Sequence, residues 1–438
     1  MSNETRWDTS YEWKAMLTLS LAFGLVGLDR FILPPLFPAM MKDLQLNYQD
    51  LGIIVGILSI FWGAAAILVG GLSDRVGRRG VLVPAVVLFS MLSALSGIAA
   101  GLVSLLVIRA IMGLAEGPVA SIGVAVAVEA SHPNRRGMNN GFFQCTIALF
   151  GLGFGPIIAT QLLLVTTWRK VFLIVGIPGL IMALLLWLVV REPATVGAAP
   201  SGAIRKRAPL ATIFKHRNVP LSMGGLLCAM CGIFVVSTMV PNYLVDHLKL
   251  SSTQMGFVTS AIGFGGAIGQ LGLLTVSDYT GRRAATLASF VIAAVFLWLF
   301  IQTGANPPLL FVFLSIAAMF NFGALAILAG PIPAEAAPAG LIASVAGLVI
   351  GTGEIFGGGI APSIAGGIAQ HFGIQYTLYL ALGGQLLGLV VCAFLHETAP
   401  RKSRSAARAS ISELDRVHEP APGTVAGAVP GTLERAQD

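Results

Sequence analysis

Ionisable residues interrupt otherwise apolar stretches at Asp29-Arg30, Arg109, Glu116 and Glu354. An ionisable side chain at the centre of a bilayer costs about 2.5 to 3.5 kcal/mol on insertion scales, so each needs a partner or a task. Arg109 and Glu116 are seven residues apart; at about 3.6 residues per turn they share one face of a helix, two turns apart. In formal charge Arg30 and Arg109 balance Asp29 and Glu116, a tolerable resting state. A ligand carboxylate arriving beside Arg30 would weaken its hold on Asp29 or Glu116 and add negative charge, and a proton would then follow the anion. That is the physical logic of anion and proton symport. A static ion-pair network tying two helices together is the other use of the same four residues.

These side chains need a membrane scaffold to position them. Of 438 residues 55% are hydrophobic and 11% charged, with a mean hydropathy of +0.83, against about 25% charged residues in soluble domains. A soluble fold is excluded. A crossing needs about 20 apolar residues of helix. Twelve such runs are read at about 15–40, 51–71, 81–101, 103–128, 138–164, 169–190, 219–245, 253–276, 284–303, 308–331, 340–369 and 373–395. The expected fold is therefore all-α and integral to the cell inner (cytoplasmic) membrane, multi-pass.

With the N-terminus inside, 21 Lys and Arg fall on cytoplasmic segments and four (Lys42, Arg169, Lys170, Lys249) on external loops, which with Arg30 and Arg109 accounts for all 27. Cationic loops translocate poorly, so both termini are expected in the cytoplasm. Span one then runs outward and span four inward, which brings Asp29, Arg30 and Glu116 to similar depth, where they are expected to meet. The expected layout is a cytoplasmic segment (1–14), a six-helix bundle (15–191), a central cytoplasmic loop (192–218), a second six-helix bundle (219–396) and a disordered cytoplasmic tail (397–438) too poor in apolar residues to build a core.

An internal repeat supports the six-plus-six division. Ser73-Asp74-Arg75-Val76-Gly77-Arg78-Arg79 between spans two and three is echoed by Ser277-Asp278-Tyr279-Thr280-Gly281-Arg282-Arg283 between spans eight and nine, 204 residues on. Gly151-x-x-x-Gly155-Pro156 in span five is echoed by Gly357-x-x-x-Ala361-Pro362 in span eleven, 206 residues on. Two landmarks with nearly one offset argue for duplicated halves. Parallel six-helix repeats are an architecture of secondary transporters, with the site near the midplane between the halves.

The segment Gly70 to Arg79 resembles the signature loop Gly-x-x-x-Asp-Arg-x-Gly-Arg-Arg of the major facilitator superfamily, and the likeness covers about residues 15–395. The resemblance implies a cytoplasmic latch of Gly70, Asp74, Arg75, Gly77, Arg78 and Arg79, with Asp278, Arg282 and Arg283 in the second copy. In that latch Asp74 meets the positive N-terminal end of a helix from the other half, and the arginines pair with nearby acids. Asp29-Arg30 together with Arg109, Gly113, Glu116, Gly117 and Pro118 is similar to the anion:cation symporter branch, whose members carry sugar acids, aromatic acids and other organic carboxylates. The resemblance implies that Arg30 binds the substrate carboxylate and that Asp29 and Glu116 carry protons, with Arg109 as a coupling residue.

The chain departs from that branch around Asp29-Arg30. Many sugar-acid members place a Tyr shortly before the pair and an Asn two residues after it, where this sequence has Val26, Gly27, Leu28 and Ile32. Missing hydroxyl-binding groups favour a less hydroxylated or aromatic carboxylate. Adding about 205 to 29, 109 and 116 lands on Phe234, Leu314 and Asn321, so coupling chemistry is expected in the first half. The second half is expected to add shape and hydrogen bonds to the substrate site, from Asn242, Tyr243, Asn321, Glu354 and Gln385, with Gln144 of span five a further candidate. Glu354 lies among Gly351, Gly353, Gly357, Gly358 and Gly359, where the helix can loosen; it admits a structural and a functional reading alike. Glu129 and Asp246 fall at span ends, where the interface solvates them. Gly151-x-x-x-Gly155-Pro156 partly matches the span-five motif of drug and proton antiporters, and close helix packing explains it equally well.

Asp29-Arg30-Phe31 also resembles spinster-like lipid transporters, so proton-coupled export of lipids or drugs is the second reading, and a non-transporting membrane sensor the third. An enzyme is not expected, since no nucleophile with a base and no metal constellation stands at membrane depth. Cys145, Cys228, Cys231 and Cys392 all lie in apolar runs and are read as inert thiols. No cofactor, metal or nucleic acid is implied; the expected partners are a small organic anion, protons and the bilayer, with a monomer as the working unit.

Overall fold

The computed structural model describes residues 8–69, 76–191, 210–337 and 342–399. Among the described residues twelve helices are long and apolar enough to cross a membrane: Thr9–Leu44, Tyr48–Ile67, Arg78–Ser96, Leu102–Ala130, Pro133–Val165, Trp168–Val189, Asn218–His247, Ser252–Thr280, Arg282–Gln302, Pro307–Ala336, Val345–Phe372 and Ile374–Ala393. They are called spans one to twelve. Their outward faces carry exposed large apolar side chains such as Leu180, Leu184, Trp187, Val291 and Leu387. On a soluble protein such a surface would aggregate, whereas in lipid it is the solvent-matched face.

Within the halves, span two packs along span four, three along six, eight along ten and seven along twelve. The halves meet where span two lies against eleven and span five against eight. Small residues line both seams. A Cβ on Gly52 would strike the Pro362 carbonyl, one on Gly56 the Gly359 carbonyl and one on Gly263 the Gly153 amide, so only glycine allows these backbones to approach. The apolar core is continuous across the halves towards the outer ends, from Leu33, Phe37 and Leu51 to Val236, Met239 and Met255. The inner part of the first half forms a core of its own around Phe23, Phe89, Phe143 and Leu186.

The repeat reaches the backbone. Spans five and eleven each contain an eight-residue wide-turn segment, Ile147–Phe154 and Gly353–Ile360, again 206 residues apart. Each ends just before a helix whose second residue is proline, Pro156 or Pro362. Proline has no N–H; the ladder re-registers, and the Gly155 and Ala361 amides reach five residues back to the Phe150 and Phe356 carbonyls. Such single wide turns are frequent at functional sites. The Gly155-Pro156 element is also a packing device, because a Cβ on Gly151 would meet the Gly27 carbonyl at 2.5 Å.

Gly77 (φ 98°) and Gly281 (φ 101°) both sit in a backbone region that favours glycine and begin spans three and nine, which gives the repeated glycine a physical reason. Span one breaks at Ile32, where Pro34 and Pro35 open its second helical piece, and Pro241, 206 residues after Pro35, precedes a wide turn over Tyr243–His247 in span seven. Residues 192–209 of the central loop and 400–438 of the tail lie outside the described residues. Of the tail, Glu397 is placed: its carboxylate accepts the Arg282 and Arg283 backbone amides (2.7 and 3.3 Å) at the start of span nine, where a negative charge suits a helix N-terminus.

Candidate functional site

Arg30 closes the first helical piece of span one and is 5% exposed. Its Nη2 donates to Ser59 Oγ of span two at 2.9 Å and to Glu354 Oε2 of span eleven at 2.5 Å. The guanidinium carbon lies 4.7 Å from the Phe234 ring centroid, 5.2 Å from Trp62 and 5.6 Å from Phe31. An arginine fits such a place because its planar, weakly hydrated cation stacks on rings while its edge donates to a carboxylate. The pair joins the two halves.

Asp29 points elsewhere. Ser93 Oγ of span three donates to its Oδ1 at 2.7 Å, and Arg109 Nη1 donates to its backbone carbonyl at 3.0 Å. The sequence places Asp29, Arg30 and Glu116 in one meeting point; the structure separates the Asp29 and Arg30 side chains. Consecutive helical residues project about 100° apart, so neighbours cannot share one face. Arg30 finds its carboxylate in the second half, which therefore supplies a charge as well as shape.

Glu116 is fully buried, and among the described residues neither carboxylate oxygen has a hydrogen-bond partner. It lies within electrostatic range of Arg30, Asp29, Arg109 and Glu354. Arg30 and Arg109 line one small cavity with Leu33, Ile54, Val55 and Leu58, and Arg30 Nε, Arg109 Nε and Arg109 Nη2 are buried without partners among the described residues. Two guanidiniums thus face three carboxyls. Fully ionised, the group carries one excess negative charge, and a buried charge without a partner is expensive, so one proton or one cation would neutralise it.

The other candidates fall into different places. Asn321 and Gln385 line a second cavity inside the second half, with Gly232, Leu314 and Phe322, and among the described residues each keeps its side-chain oxygen unpartnered. A Cβ on Gly232 would collide with the Gln385 amide and lie 2.8 Å from the Asn321 amide nitrogen, so this glycine makes the space. Asn242 is buried with both amide atoms unpartnered among the described residues, and Tyr243 stacks on His247 at 5.2 Å. Both stand roughly 12 Å further along span seven than Phe234, at about 1.5 Å per residue, near the outer end and apart from Arg30. Gln144 is half-buried in span five.

Of the latch, Gly70, Asp74 and Arg75 lie outside the described residues. Arg78 Nη2 donates to Glu129 at 3.0 Å at the end of span four, and Arg79 lies 5.0 Å from the Trp187 ring centroid. The second copy repeats the tie: Arg282 pairs with Glu335 (3.3 Å) and Asp278 (2.5 Å), and Arg283 Nη2 donates to the Ala393 carbonyl. Glu129 is therefore an ion-pair partner as well as an exposed residue at its span end. Asp246 is likewise engaged, since Tyr48 donates its hydroxyl proton to Asp246 Oδ2 at 2.8 Å across the outer ends of spans two and seven.

Ser59, Trp62 and Ser93 escaped sequence reading because single serines and tryptophans in apolar helices carry no signal. Phe234 was reachable by offset, being the repeat counterpart of Asp29, and Glu335 is the counterpart of Glu129 206 residues on.

Twelve membrane-crossing helices in two repeats, with buried ionisable groups where the halves meet, define a secondary transporter. The family model of the Major Facilitator Superfamily matches residues 19–349 and 222–429, and the chain belongs to that family. It is 30% identical to the hexuronate transporter of Bacillus subtilis over 62% of this chain and 65% of that one. To the 4-hydroxybenzoate transporter of Pseudomonas putida it is 25% identical over 72% and 77%. Among solved structures, a bacterial homolog of the human lysosomal transporter Spinster, inward-facing and unoccupied, shares the fold with a TM-score of 0.67 at 18% identity, over 90% of this chain and 95% of that one. The chain is a multi-pass inner-membrane transporter and not an enzyme.

Proposed function

We propose that the protein takes up a small organic carboxylate together with protons, by alternating access of its two six-helix halves. The observation that supports this most directly is Arg30: a buried guanidinium at the seam between the halves that already donates to a carboxylate, that of Glu354. Arg30 anchors the substrate carboxylate. Asp29 and Glu116 carry protons, and Arg109, which touches the Asp29 backbone and lies within electrostatic range of Glu116, tunes both.

Phe31, Trp62, Phe234, Leu33, Ile54 and Leu58 surround Arg30 and its cavity, with Ser59 the hydroxyl in contact. Such walls suit an aromatic or sparsely hydroxylated acid better than a sugar acid, whose hydroxyls would lose water without replacement. The similarity to a hexuronate and to a 4-hydroxybenzoate transporter supports an organic acid. On the cytoplasmic side the loop from Asp74 to Arg79 and its second copy act as the latch. One chain contains every residue of this scheme, so the monomer is the working unit, and import is the working direction.

The test is proton movement in proteoliposomes on addition of 4-hydroxybenzoate, a hexuronate, lysolipids and cationic drugs. External alkalinisation on adding a carboxylate is the expected result. Silence from every carboxylate, with a response to a lipid or drug, would overturn the reading and leave Arg30 a structural pair in an exporter.

A further inference from the structure

We propose that Glu354 is a built-in occupant of the carboxylate site: in the empty carrier it holds Arg30, and a substrate carboxylate takes its place only as Glu354 accepts a proton. This rests on the reading of Arg30 as substrate anchor. It assigns Glu354 the part of a competitor with a coupling duty, where the sequence suggests only a contributor of shape and hydrogen bonds to the substrate.

The geometry is that of an occupied binding site. Arg30 Nη2 spends its donors on Ser59 and Glu354, and the rings of Phe234, Trp62 and Phe31 stand around the guanidinium. A second carboxylate cannot use the same edge while Glu354 is there. As a merely structural element the pair would be poorly chosen, since a buried ion pair contributes little net stability compared with an apolar pair of similar size.

The charges lead to the same conclusion. Arg30 and Arg109 face Asp29, Glu116 and Glu354, and a substrate anion adds one more negative charge. One proton delivered to a Glu354 carboxylate oxygen restores the charge of the empty site, releases Arg30, and leaves a neutral carboxyl that needs no cation. No other bond changes. Among the described residues the charged groups facing Glu354 are Arg30 from span one and Glu116 from span four. Span two presents Gly63, and span seven presents Phe234 and, beside neighbouring Gly357, Met230 and Cys231.

Glu354 is also placed to move. It stands in the wide-turn segment Gly353–Ile360 with glycines at 353, 357, 358 and 359. A Cβ on Gly358 would lie 3.1 Å from its Oε2 and one on Gly63 3.1 Å from its Cβ, so both neighbours leave it room. Because the pair crosses from span one to span eleven, releasing it also removes a tie between the halves.

The experiment is calorimetric binding of 4-hydroxybenzoate and a hexuronate to the purified full chain, in buffers of different ionisation heat so that protons taken up are counted, for wild type, Glu354→Gln and Glu354→Met. Expected are wild-type affinity weakening about tenfold per pH unit where one proton accompanies binding, and at least tenfold tighter binding by the variants at alkaline pH, with one proton fewer. Variants that bind no more tightly and take up as many protons as wild type would overturn the inference while leaving the carboxylate reading intact. A wild type that binds neither probe would remove both. Should neither variant fold, the infrared difference spectrum of the wild type decides: ligand addition must convert one carboxylate to a protonated carboxyl beyond those remaining in Asp29→Asn and Glu116→Gln, and its absence refutes the inference.

Discussion

Replacing Asp29 by asparagine removes the site for a proton while keeping the seat of the side chain. Ser93 Oγ donates to Asp29 Oδ1 at 2.7 Å, and the asparagine oxygen accepts that same bond. Arg109 holds the backbone carbonyl of residue 29 at 3.0 Å, which the substitution does not touch. Arg30 is unaffected because its partners are Ser59 and Glu354. Asp29→Asn is therefore expected to bind a carboxylate within about twofold of wild type. Each coupled proton adds about 1.36 kcal/mol of driving force per unit of pH gradient, or about tenfold in accumulation. Losing one coupled proton should lower the accumulation ratio in proteoliposomes about tenfold at a gradient of one unit, interior alkaline, and about a hundredfold at two units. The assay is labelled substrate uptake at both gradients, with binding measured on the same preparation. Accumulation equal to wild type at both gradients would refute the assignment of Asp29 to proton carriage, and the same result for Glu116→Gln would refute it for Glu116.

Arg30→Lys keeps the charge but not the planar guanidinium placed over the Phe234 and Trp62 rings, so carboxylate binding should weaken at least tenfold; calorimetry showing wild-type affinity would contradict the anchor role. Tyr48→Phe deletes the 2.8 Å bond to half-buried Asp246 between the outer ends of the halves, worth about 1 kcal/mol. Alkylation from outside of a cysteine introduced at buried Leu51 should then quicken about fivefold, and an unchanged rate would remove Tyr48 from the outer closure. Gly281→Ala forces a side chain into a backbone at φ 101°, which should destabilise by about 1 to 3 kcal/mol; a melting temperature equal to wild type would show that the loop relaxes.

Sequence made the spans and the repeat legible because both are written in long patterns. Twelve apolar runs, the two Gly-Arg-Arg turns and the two small-x-x-x-small-Pro elements survive errors of several residues. The site was legible as a set of residue types and not as a set of pairs. Arg30, Asp29, Arg109 and Glu116 stand out because charge in an apolar run is rare, but which carboxylate meets which arginine depends on helix rotation. One residue of rotation separates the Ser93 partner of Asp29 from the Glu354 partner of Arg30. The contact with Glu354 spans 324 residues of chain, and no local pattern encodes it. Asn242 and Tyr243 show the opposite limit: their types suit ligand binding, yet their place near the outer end of span seven, close to the Tyr48–Asp246 tie, keeps them from Arg30.

The repeat explains how the two halves divide the work. Duplication preserved what folding and closure need in both copies: the positive-φ glycines 77 and 281, the Arg78–Glu129 and Arg282–Glu335 ties, and the wide turns before Pro156 and Pro362. What differs is the charged set. The counterparts of Asp29, Arg109 and Glu116 are Phe234, Leu314 and Asn321; Phe234 stacks on Arg30 from the opposite half, while Leu314 and Asn321 line the second-half cavity. Two copies of the charged set facing each other would put four arginines and four acids into one apolar seam, with a desolvation cost for every ion. Charge in one half and rings in the other leaves a single guanidinium edge facing the seam, and a single carboxylate, Glu354, to cover it. Exchanging the counterparts tests this division. Phe234→Asp would give Arg30 a second resident carboxylate, so carboxylate binding should weaken at least tenfold while Phe234→Leu costs only the ring contact; equal losses in the two variants would show that stacking, not charge, sets the anchor.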